Sequence, residues 1–308
     1  MRLLHYFRRP LDQDTLLKHL YTNYVLVFGI VIFLGSCDLI NPEESVPSFI
    51  HIDEFSFSAA PGEGTSSQKI TEVWVYSNGQ MLGAYDLPAH IPVLDVGANQ
   101  VTILAGIKNN GISSTRIRYP FYTSFDTTLQ FTPGSEIVLK PRFFYRDDIS
   151  IDQYDFEGGS NLFNATGTSD VDLTNISNAE QVFEGSGSGY AILADGNNQL
   201  LVRTNQILQL SAGKVTFLEL NYSTNNTLAA GLYSFQSGTE KKNLAVLINP
   251  TTESIGTPVW NKIYIDLGLI PSQNINADHF EIYFEAVADT PGKTVEVFLD
   301  NVKLVTFD

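Results

Sequence analysis

The chain has 308 residues and a net charge of −16, with 17% charged, 43% hydrophobic and 12% aromatic residues. A chain this acidic is repelled by polyanions, which argues against nucleic acid as a partner. It contains one cysteine, so an intramolecular disulfide is excluded and its stability has to come from buried apolar cores. Abundant β-branched and aromatic residues, together with Gly, Asn, Thr and Ser, are typical of an all-β protein.

The first 36 residues have the pattern of a secretory signal. Basic residues precede a ten-residue apolar run at 25–34, which is too short for a stable transmembrane helix. The small residues Gly35 and Ser36 follow, and then Cys37. This Leu-Gly-Ser-Cys sequence resembles the lipobox of bacterial lipoproteins. The resemblance implies cleavage between Ser36 and Cys37, with acyl chains such as palmitate on Cys37; the alternative is an uncleaved anchor with an incidental cysteine.

Residues 37–47 contain two prolines and no periodic pattern, which predicts a short lipidated tether. Removal of residues 1–36 takes away four basic and two acidic residues, so the mature chain has a net charge of −18. The pair Glu43-Glu44 resembles the surface-export signal of Bacteroidota lipoproteins and implies a cell-surface location. The alternative is a solvated turn.

Residues 48–146 alternate between short strands and turns. Asn78-Gly79 lies between two strand-like segments, and both residue types tolerate the positive φ angles of a type I′ hairpin turn. The regular spacing of the turns predicts a small antiparallel sandwich of immunoglobulin-like or transthyretin-like type. Its strands are predicted at 49–57, 71–76, 81–85, 100–107, 112–119 and 137–144.

A polar stretch that begins at Asp147-Asp148 predicts a boundary, followed by a second domain over 150–308. Eight or more strands with no long helical pattern predict a jelly-roll sandwich. The strands of this domain are predicted at 190–193, 199–203, 215–222, 228–235, 244–248, 260–267, 279–287 and 295–307.

The mature chain has no sequence pattern of an enzyme. His51, His90 and His279 are isolated in sequence, and neither a nucleophile elbow, a zincin motif nor a phosphate-binding glycine loop occurs. Carboxylates are numerous enough for a glycosidase pair, but the sequence singles none out. We therefore predict a protein that is not an enzyme and requires no cofactor; a glycosidase or other hydrolase is the alternative.

Two short motifs stand near the ends of the second domain: Asp-Phe-Glu-Gly at 155–158 and Val-Phe-Leu-Asp-Asn-Val-Lys-Leu at 297–304. They resemble the first and last strands of carbohydrate-binding-module jelly rolls of the galactose-binding-like type, which lie side by side and often hold a structural calcium ion. The resemblance implies Glu157, Asp300 and Asp155 as calcium ligands, since carboxylate oxygens suit this ion. The alternative is a set of acids that cap strand ends in solvent.

A sugar-binding face needs aromatic rings that are open to solvent. Trp260 and Tyr264 fall in an alternating strand, which predicts that they belong to the core. Two tryptophans in the whole chain are few for a lectin. The aromatic candidates in this domain are Tyr190, Tyr222, Tyr233, Trp260 and Tyr264.

Together the lipobox and the two β-domains resemble uncharacterised outer-membrane lipoproteins of Bacteroidota. The resemblance implies an accessory or interaction subunit of an export, import or assembly complex, with a barrel protein or other lipoproteins as partners. The alternative is a surface glycan-binding lipoprotein that uses its C-terminal jelly roll. An open aromatic strip within 190–270 would favour a glycan, whereas an apolar patch across both domains would favour a protein.

Overall fold

The chain divides into two compact units, Met1–Val46 and Pro47–Asp308. In the first unit the described residues before position 27 are helical, and the predicted cleavage site at Ser36 and Cys37 lies outside the described residues. None of the described helices is long and apolar enough to cross a membrane. The computed structural model describes residues 17–18, 20–26, 44–158, 162–290 and 292–308.

Strands are almost the only regular elements of the second unit, and the predicted all-β sandwich class is confirmed. One short helix lies near its C-terminal end. In chain order the elements are β1 (Ser48–Ile52), β2 (Ser56–Ser58), β3 (Glu72–Ser77), β4 (Gln80–Asp86), β5 (Ala89–Val93), β6 (Gly97–Lys108), β7 (Arg116–Arg118), β8 (Phe125–Phe131), β9 (Glu136–Val138), β10 (Arg142–Phe144), β11 (Ile149–Tyr154), β12 (Phe163–Ala165), β13 (Thr174–Ile176), β14 (Ser188–Leu193), β15 (Gln199–Thr204), β16 (Thr216–Thr224), β17 (Leu228–Gln236), β18 (Thr239–Ile248), β19 (Asn261–Asp266), α1 (Leu269–Gln273), β20 (His279–Val287) and β21 (Val295–Phe307).

Strands β1–β10 form the N-terminal half of this unit. One sheet has the order β4-β3-β6-β7, with β8 also paired to β6. The strands β5-β1-β9 form a second sheet and β10-β2 a third. The predicted hairpin is present: Asn78 and Gly79 join β3 to β4 with φ angles of 47° and 79°, as a type I′ turn requires.

Two predicted strands of this half are each broken into two. Segment 49–57 forms β1 and β2, and segment 137–144 forms β9 and β10. The two breaks lie beside each other, because the first parts, β1 and β9, pair in one sheet and the second parts, β2 and β10, pair in another. Pro141 lies in the second break, and it has no N–H to continue a ladder. The pattern of alternation predicted the strands but not this change of sheet.

Strands β11–β21 form the C-terminal half, a sandwich of two sheets around an apolar core. The six-stranded sheet has the order β13-β14-β21-β16-β19, and β11 pairs with the second half of β21. The five-stranded sheet has the order β12-β15-β20-β17-β18. The eight predicted strands of this half are all present, and β20 and β21 have their predicted bounds.

The two halves share a core. Phe217, Tyr264 and Val305, from three strands of the six-stranded sheet, pack among the buried residues of the N-terminal half. The predicted boundary falls at β11, whose residues Ile149 and Ile151 also pack against this core. The N-terminal half therefore covers part of the outer face of the six-stranded sheet. The division into separate domains at 146–150 stays a prediction.

A buried charged cluster lies where the halves meet, and we call Tyr119, Tyr145, Glu219, Lys262 and Lys303 the junction cluster. The Oε2 atom of Glu219 lies 2.8 Å from Nζ of Lys262. The hydroxyls of Tyr119 and Tyr145 donate to its Oε1 atom at 2.6 and 2.9 Å. Lys303 stands opposite Glu219 in the β16–β21 ladder. Glu219 is fully buried, so these contacts take the place of water around its carboxylate.

Ion pairing within the junction cluster keeps the Glu219 carboxyl charged although it is buried. Burial alone raises the pKa of the Glu219 carboxyl, but attraction to Lys262 and Lys303 outweighs it and the net pKa lies below its ordinary value. Burial lowers the pKa of Lys303 to about 8. The Nζ atom of Lys303 donates to the carbonyl of Thr65 at 2.9 Å. Removing the Glu219 carboxylate would leave Lys262 and Lys303 buried without their counter-charge.

Candidate functional site

The outer face of the five-stranded sheet carries an unusual concentration of aromatic and charged side chains. Its apolar members form a separate cluster composed of residues of this sheet alone. We call this surface the aromatic face. Its residues are Leu201 and Arg203 on β15, Ala229, Tyr233 and Phe235 on β17, Glu240, Lys242, Leu244 and Leu247 on β18, and His279, Glu281, Tyr283 and Glu285 on β20.

Period-two alternation brings these residues together. Tyr233 and Phe235 are two positions apart on β17 and therefore point to the same side of the sheet. The ladder places Phe235 opposite His279, and Tyr233 opposite Glu281. The rings of Phe235 and His279 stack with centroids 4.4 Å apart and an interplanar angle of 9°. The result is a stacked, half-buried pair of rings at one end of the face.

Arg203 lies over the aromatic rings. Its guanidinium carbon is 4.7 Å from the centroid of Tyr233 and 5.6 Å from that of Phe235. Its Nη1 is 2.8 Å from Oε2 of Glu240, and its Nε is 3.5 Å from Oε2 of Glu281. Burial raises the pKa of Glu281, and the charge of Arg203 partly offsets that shift. This arrangement sets a planar hydrogen-bond donor beside two carboxylate acceptors and over two rings.

The other end of the face has a second ion pair over an aromatic ring. Nζ of Lys242 lies 2.9 and 2.8 Å from the two oxygens of Glu285, and 5.8 Å from the centroid of Tyr283. The Tyr283 ring meets Tyr233 edge-on at 5.3 Å. Burial raises the pKa values of both phenols, so both hydroxyls stay protonated at neutral pH.

A glycine gives the face its shape. Ala230 pairs with Val246 and Gly231 with Leu244, so Ala245 is the extra residue of a β-bulge in β18. A methyl group at position 231 would lie 2.9 Å from both Ala245 N and the Tyr283 ring. Gly231 is therefore required for the close approach of β18 and for the position of Tyr283.

The structure sorts the aromatic candidates predicted from sequence. Tyr233 lies on the aromatic face but is only 8% exposed, and Tyr264 and Tyr222 are buried elsewhere; burial of Tyr264 was predicted from the alternation of its strand. Trp260, which was predicted to belong to the core, is half-buried and packs against Phe183 and Phe298. The hydroxyl of Tyr190 donates to Glu296 at 2.7 Å.

Sequence reasoning missed most of the aromatic face. Phe235, Arg203 and Tyr283 were not singled out, and His279 was considered only as an isolated histidine. A signal for them exists: every second residue of β20 from 279 to 285 is charged, titratable or a tyrosine, which marks one side of a strand whose other side is apolar.

Two of the three predicted calcium ligands, Glu157 and Asp300, contact one loop, residues 184–188. Oε2 of Glu157 accepts hydrogen bonds from the N–H and hydroxyl of Ser186 at 2.9 and 2.6 Å. Oδ2 of Asp300 accepts from the hydroxyl of Ser188 at 2.7 Å. Asp155 accepts from the N–H of Glu157 at 3.2 Å. Among the described residues, no group of three or more Asp, Glu, His or Cys side chains is placed to hold a metal ion. Calcium binding stays a prediction.

Asp300 is expected to make stability depend on pH. Burial raises the pKa of its carboxyl from an ordinary 3.8 to about 6. The folded state therefore binds more protons than the unfolded state between these values. Its stability falls as pH rises from about 4 to about 6. Asp300→Asn should remove this part of the pH dependence, measured as thermal melting of the full chain across this range.

A bound calcium ion would offset the destabilising effect of the buried Asp300 charge. Saturating Ca²⁺ at neutral pH should raise the melting temperature of the wild-type chain, chelator should reverse the rise, and Asp300→Asn should not respond. A wild-type chain that melts at the same temperature with calcium and with chelator would rule out the predicted site. Equal pH slopes in both chains would show that Asp300 titrates normally.

Comparison with known proteins gives no family. No family model matches the chain, and no curated protein is similar to it. Solved structures with a similar arrangement include a carbohydrate-binding module of the β-sandwich superfamily, with 12% identity, a TM-score of 0.38 and coverage of 85% of this chain and 98% of that one. A family 29 carbohydrate-binding module has 12% identity and a TM-score of 0.32, covering 51% of this chain and 88% of its own.

The K1 cleaved adhesin domain of Lys-gingipain from Porphyromonas gingivalis W83 is similar over 50% of this chain and 97% of its own length. Its identity is 12% and its TM-score 0.36. Carbohydrate-binding modules with a β-sandwich fold are thus among the structures that this chain resembles.

Proposed function

We propose that this protein binds a glycan on the aromatic face of its C-terminal sandwich. The observation that carries the proposal is the group formed by Arg203, Glu281 and the stacked pair Phe235–His279 on an outer sheet face. We propose a binding rather than a catalytic role for the protein. Glycan binding replaces the accessory subunit as the leading proposed function, because the aromatic face offers a defined surface with suitable contacts for it.

The chemistry of the face suits sugar rings. The C–H side of a pyranose is apolar and packs on aromatic side chains, of which the half-buried Phe235–His279 pair is the most accessible on this face. Sugar hydroxyls both donate and accept hydrogen bonds, so their site needs acceptors beside donors. The Glu281 carboxylate and the Arg203 guanidinium supply an acceptor and a donor 3.5 Å apart. Half-burial of Glu281 strengthens these contacts, because bulk water competes less well for the carboxylate.

The charges of the face favour a neutral glycan. Two cations, Arg203 and Lys242, stand among three carboxylates, Glu240, Glu281 and Glu285. The face therefore has no excess of positive charge, and the whole chain is strongly negative. A polyanionic glycan would be repelled over long range by this charge.

A glycan array probed with the full chain in detergent tests the proposal. We expect binding to neutral polysaccharides, and a loss of about tenfold in affinity for Phe235→Ala, since one aromatic contact contributes about 1.5 kcal/mol. Phe144→Ala is the matched control: this phenylalanine is 47% exposed on β10 and lies outside the face. Absence of binding to every glycan, or equal losses for the two variants, would contradict the proposal.

We further propose that Cys37 anchors the protein to the outer membrane, with the domains on the cell surface. The lipobox-like sequence ending at Cys37 and the acidic pair Glu43-Glu44 support this location. Retention of a Cys37→Ala chain in the membrane fraction after leader cleavage would contradict the anchor.

An accessory subunit is the second candidate function. A cleft between the two halves favours it, because Ile112 of the N-terminal half and Leu244 and Leu247 of the C-terminal half are all at least 50% exposed beside it. An apolar rim across two halves is the surface expected for a protein partner. Recovery of the tagged protein from native membranes without a stoichiometric companion would count against this function.

A further inference from the structure

The cleft between the halves runs along the edge of a strand. It has a volume of about 690 Å³, and one of its walls is formed by seven consecutive residues, 244–250. Side chains alternate between the two faces of a strand, so consecutive residues can all border one cleft only when the cleft follows the strand's edge. The strand is β18, the last in the five-stranded sheet. Its outer backbone N–H and C=O groups therefore face the cleft.

The two parts of β18 differ in the charges that they carry along that edge. The first five residues, Thr-Glu-Lys-Lys-Asn at 239–243, carry the charges that normally protect an edge strand from pairing. The last five, Leu-Ala-Val-Leu-Ile at 244–248, carry none. Leu244 and Leu247 are 54% and 58% exposed. An apolar edge without charges or proline is suited to pair with another strand.

The neighbouring edge strand already pairs in this way. Strand β19 ends the six-stranded sheet, and Asn109 makes a parallel bridge with its residue Tyr264. The next N–H, of Asn110, donates to the Tyr264 carbonyl at 2.9 Å. The loop that closes the edge of β19 then continues through Gly111 and Ser113 as the opposite wall of the cleft. Within the described part of the chain, the edge of β18 has no such strand.

A cation without a carboxylate lies beside the cleft. Gly111, Ser113 and Ile263 line both the cleft and a smaller cavity of about 260 Å³, which is also lined by Lys69. Nζ of Lys69 donates to Oδ1 of Asn261, a residue of the cleft, at 2.5 Å. None of the ion pairs among the described residues includes Lys69, and burial lowers its pKa. A carboxylate that contacts the Lys69 ammonium would compensate for the water that this group loses on burial.

We propose that the cleft binds an extended polypeptide segment of a partner protein, which adds as a strand to residues 244–248 and directs an acidic side chain at Lys69. Only an extended backbone matches the alternating N–H and C=O groups of a strand edge. Apolar side chains of the segment would pack on Leu244, Leu247 and Ile112. The site lies at the edge of β18, beside the aromatic face, and does not depend on glycan binding; it rests on the second candidate function, for which it specifies the form of the partner.

A phage-displayed library of random linear peptides, selected on the full chain in detergent, tests the proposal. We expect enriched peptides with alternating apolar residues and an Asp or Glu. As synthetic peptides they should slow amide exchange at 244–248, and proline substitution within them should abolish binding because it removes backbone N–H groups. Lys69→Gln should weaken binding about tenfold through loss of a charge-assisted contact. Leu247→Asp should abolish it.

Val138→Asp is the matched control, since Val138 is 63% exposed on the short strand β9 of the other half and should leave peptide binding unchanged. Phe235→Ala should also leave it unchanged. The proposal is overturned if no peptide is enriched over the Leu247→Asp chain, or if bound peptides protect amides elsewhere. It is also overturned if the cleft is filled by a second copy, seen as concentration-dependent protection of 244–248, or by an array glycan that protects these amides.

Discussion

Glu219→Gln is expected to lower the free energy of unfolding by about 3–5 kcal/mol, the usual cost of breaking a buried ion pair by removing one partner. The fully buried Glu219 carboxylate balances both Lys262 and Lys303, which are 4% and 1% exposed. A neutral amide leaves these two cations buried next to each other. For a unit of this size the loss corresponds to a fall of about 10 °C in the melting temperature, measured by circular dichroism of the full chain.

Glu54→Gln is the control for this experiment. Glu54 also pairs with a lysine, Lys140, at 2.6 Å, but both side chains are exposed. Such pairs contribute little, so the control should melt with the wild type. If Glu219→Gln melts at the wild-type temperature too, the junction cluster does not stabilise the contact between the halves. Two separate transitions in the wild-type chain would show that the halves unfold independently.

Gly231→Ala is the second substitution with a large expected effect. The added methyl group would collide with the backbone of β18 at Asn243 and Ala245 and with the ring of Tyr283. A backbone contact gives way only if the strand moves, so we expect a loss of about 2–3 kcal/mol in the free energy of unfolding. The same movement should displace Tyr283 and weaken glycan binding.

Gly167→Ala separates the collision from the general effect of replacing a glycine. No atom lies within 4 Å of a methyl group at position 167, and its backbone does not require glycine. The control should match or slightly exceed the stability of the wild type, since alanine restricts the unfolded chain. If the two alanine variants are equally stable, β18 does not approach Gly231 as closely as the bulge requires.

The sequence predicted the strands of the C-terminal half well because each has a strong local pattern. Strand β20 alternates with a period of two over its whole length and was predicted with its bounds. Strand β11 was not predicted, because Ile149 and Ile151 stand in a polar stretch and their burial comes from the distant N-terminal core. Sheet changes at β1–β2 and β9–β10 likewise depend on partners far along the chain.

The site was less predictable than the fold. Tyr233 was a candidate because it is an aromatic residue in a strand, but its neighbours Arg203 and His279 come from two other strands. Only the sheet register brings them together, and register is a long-range property. The junction cluster shows the same limit: Glu219, Lys262 and Lys303 lie in alternating strands where a buried charge could not be told from an exposed one.

Hydroxyl-radical footprinting of the full chain with its array-selected polysaccharide tests the glycan-binding face most directly. This measurement reports the solvent access of side chains, and Phe235 and His279 are both half-buried in the free protein. We predict that the polysaccharide lowers the oxidation of Phe235 and His279 and leaves Phe144, which is 47% exposed on β10, unchanged. Unchanged oxidation of the stacked pair with the polysaccharide bound, or protection confined to another surface, would contradict the assignment.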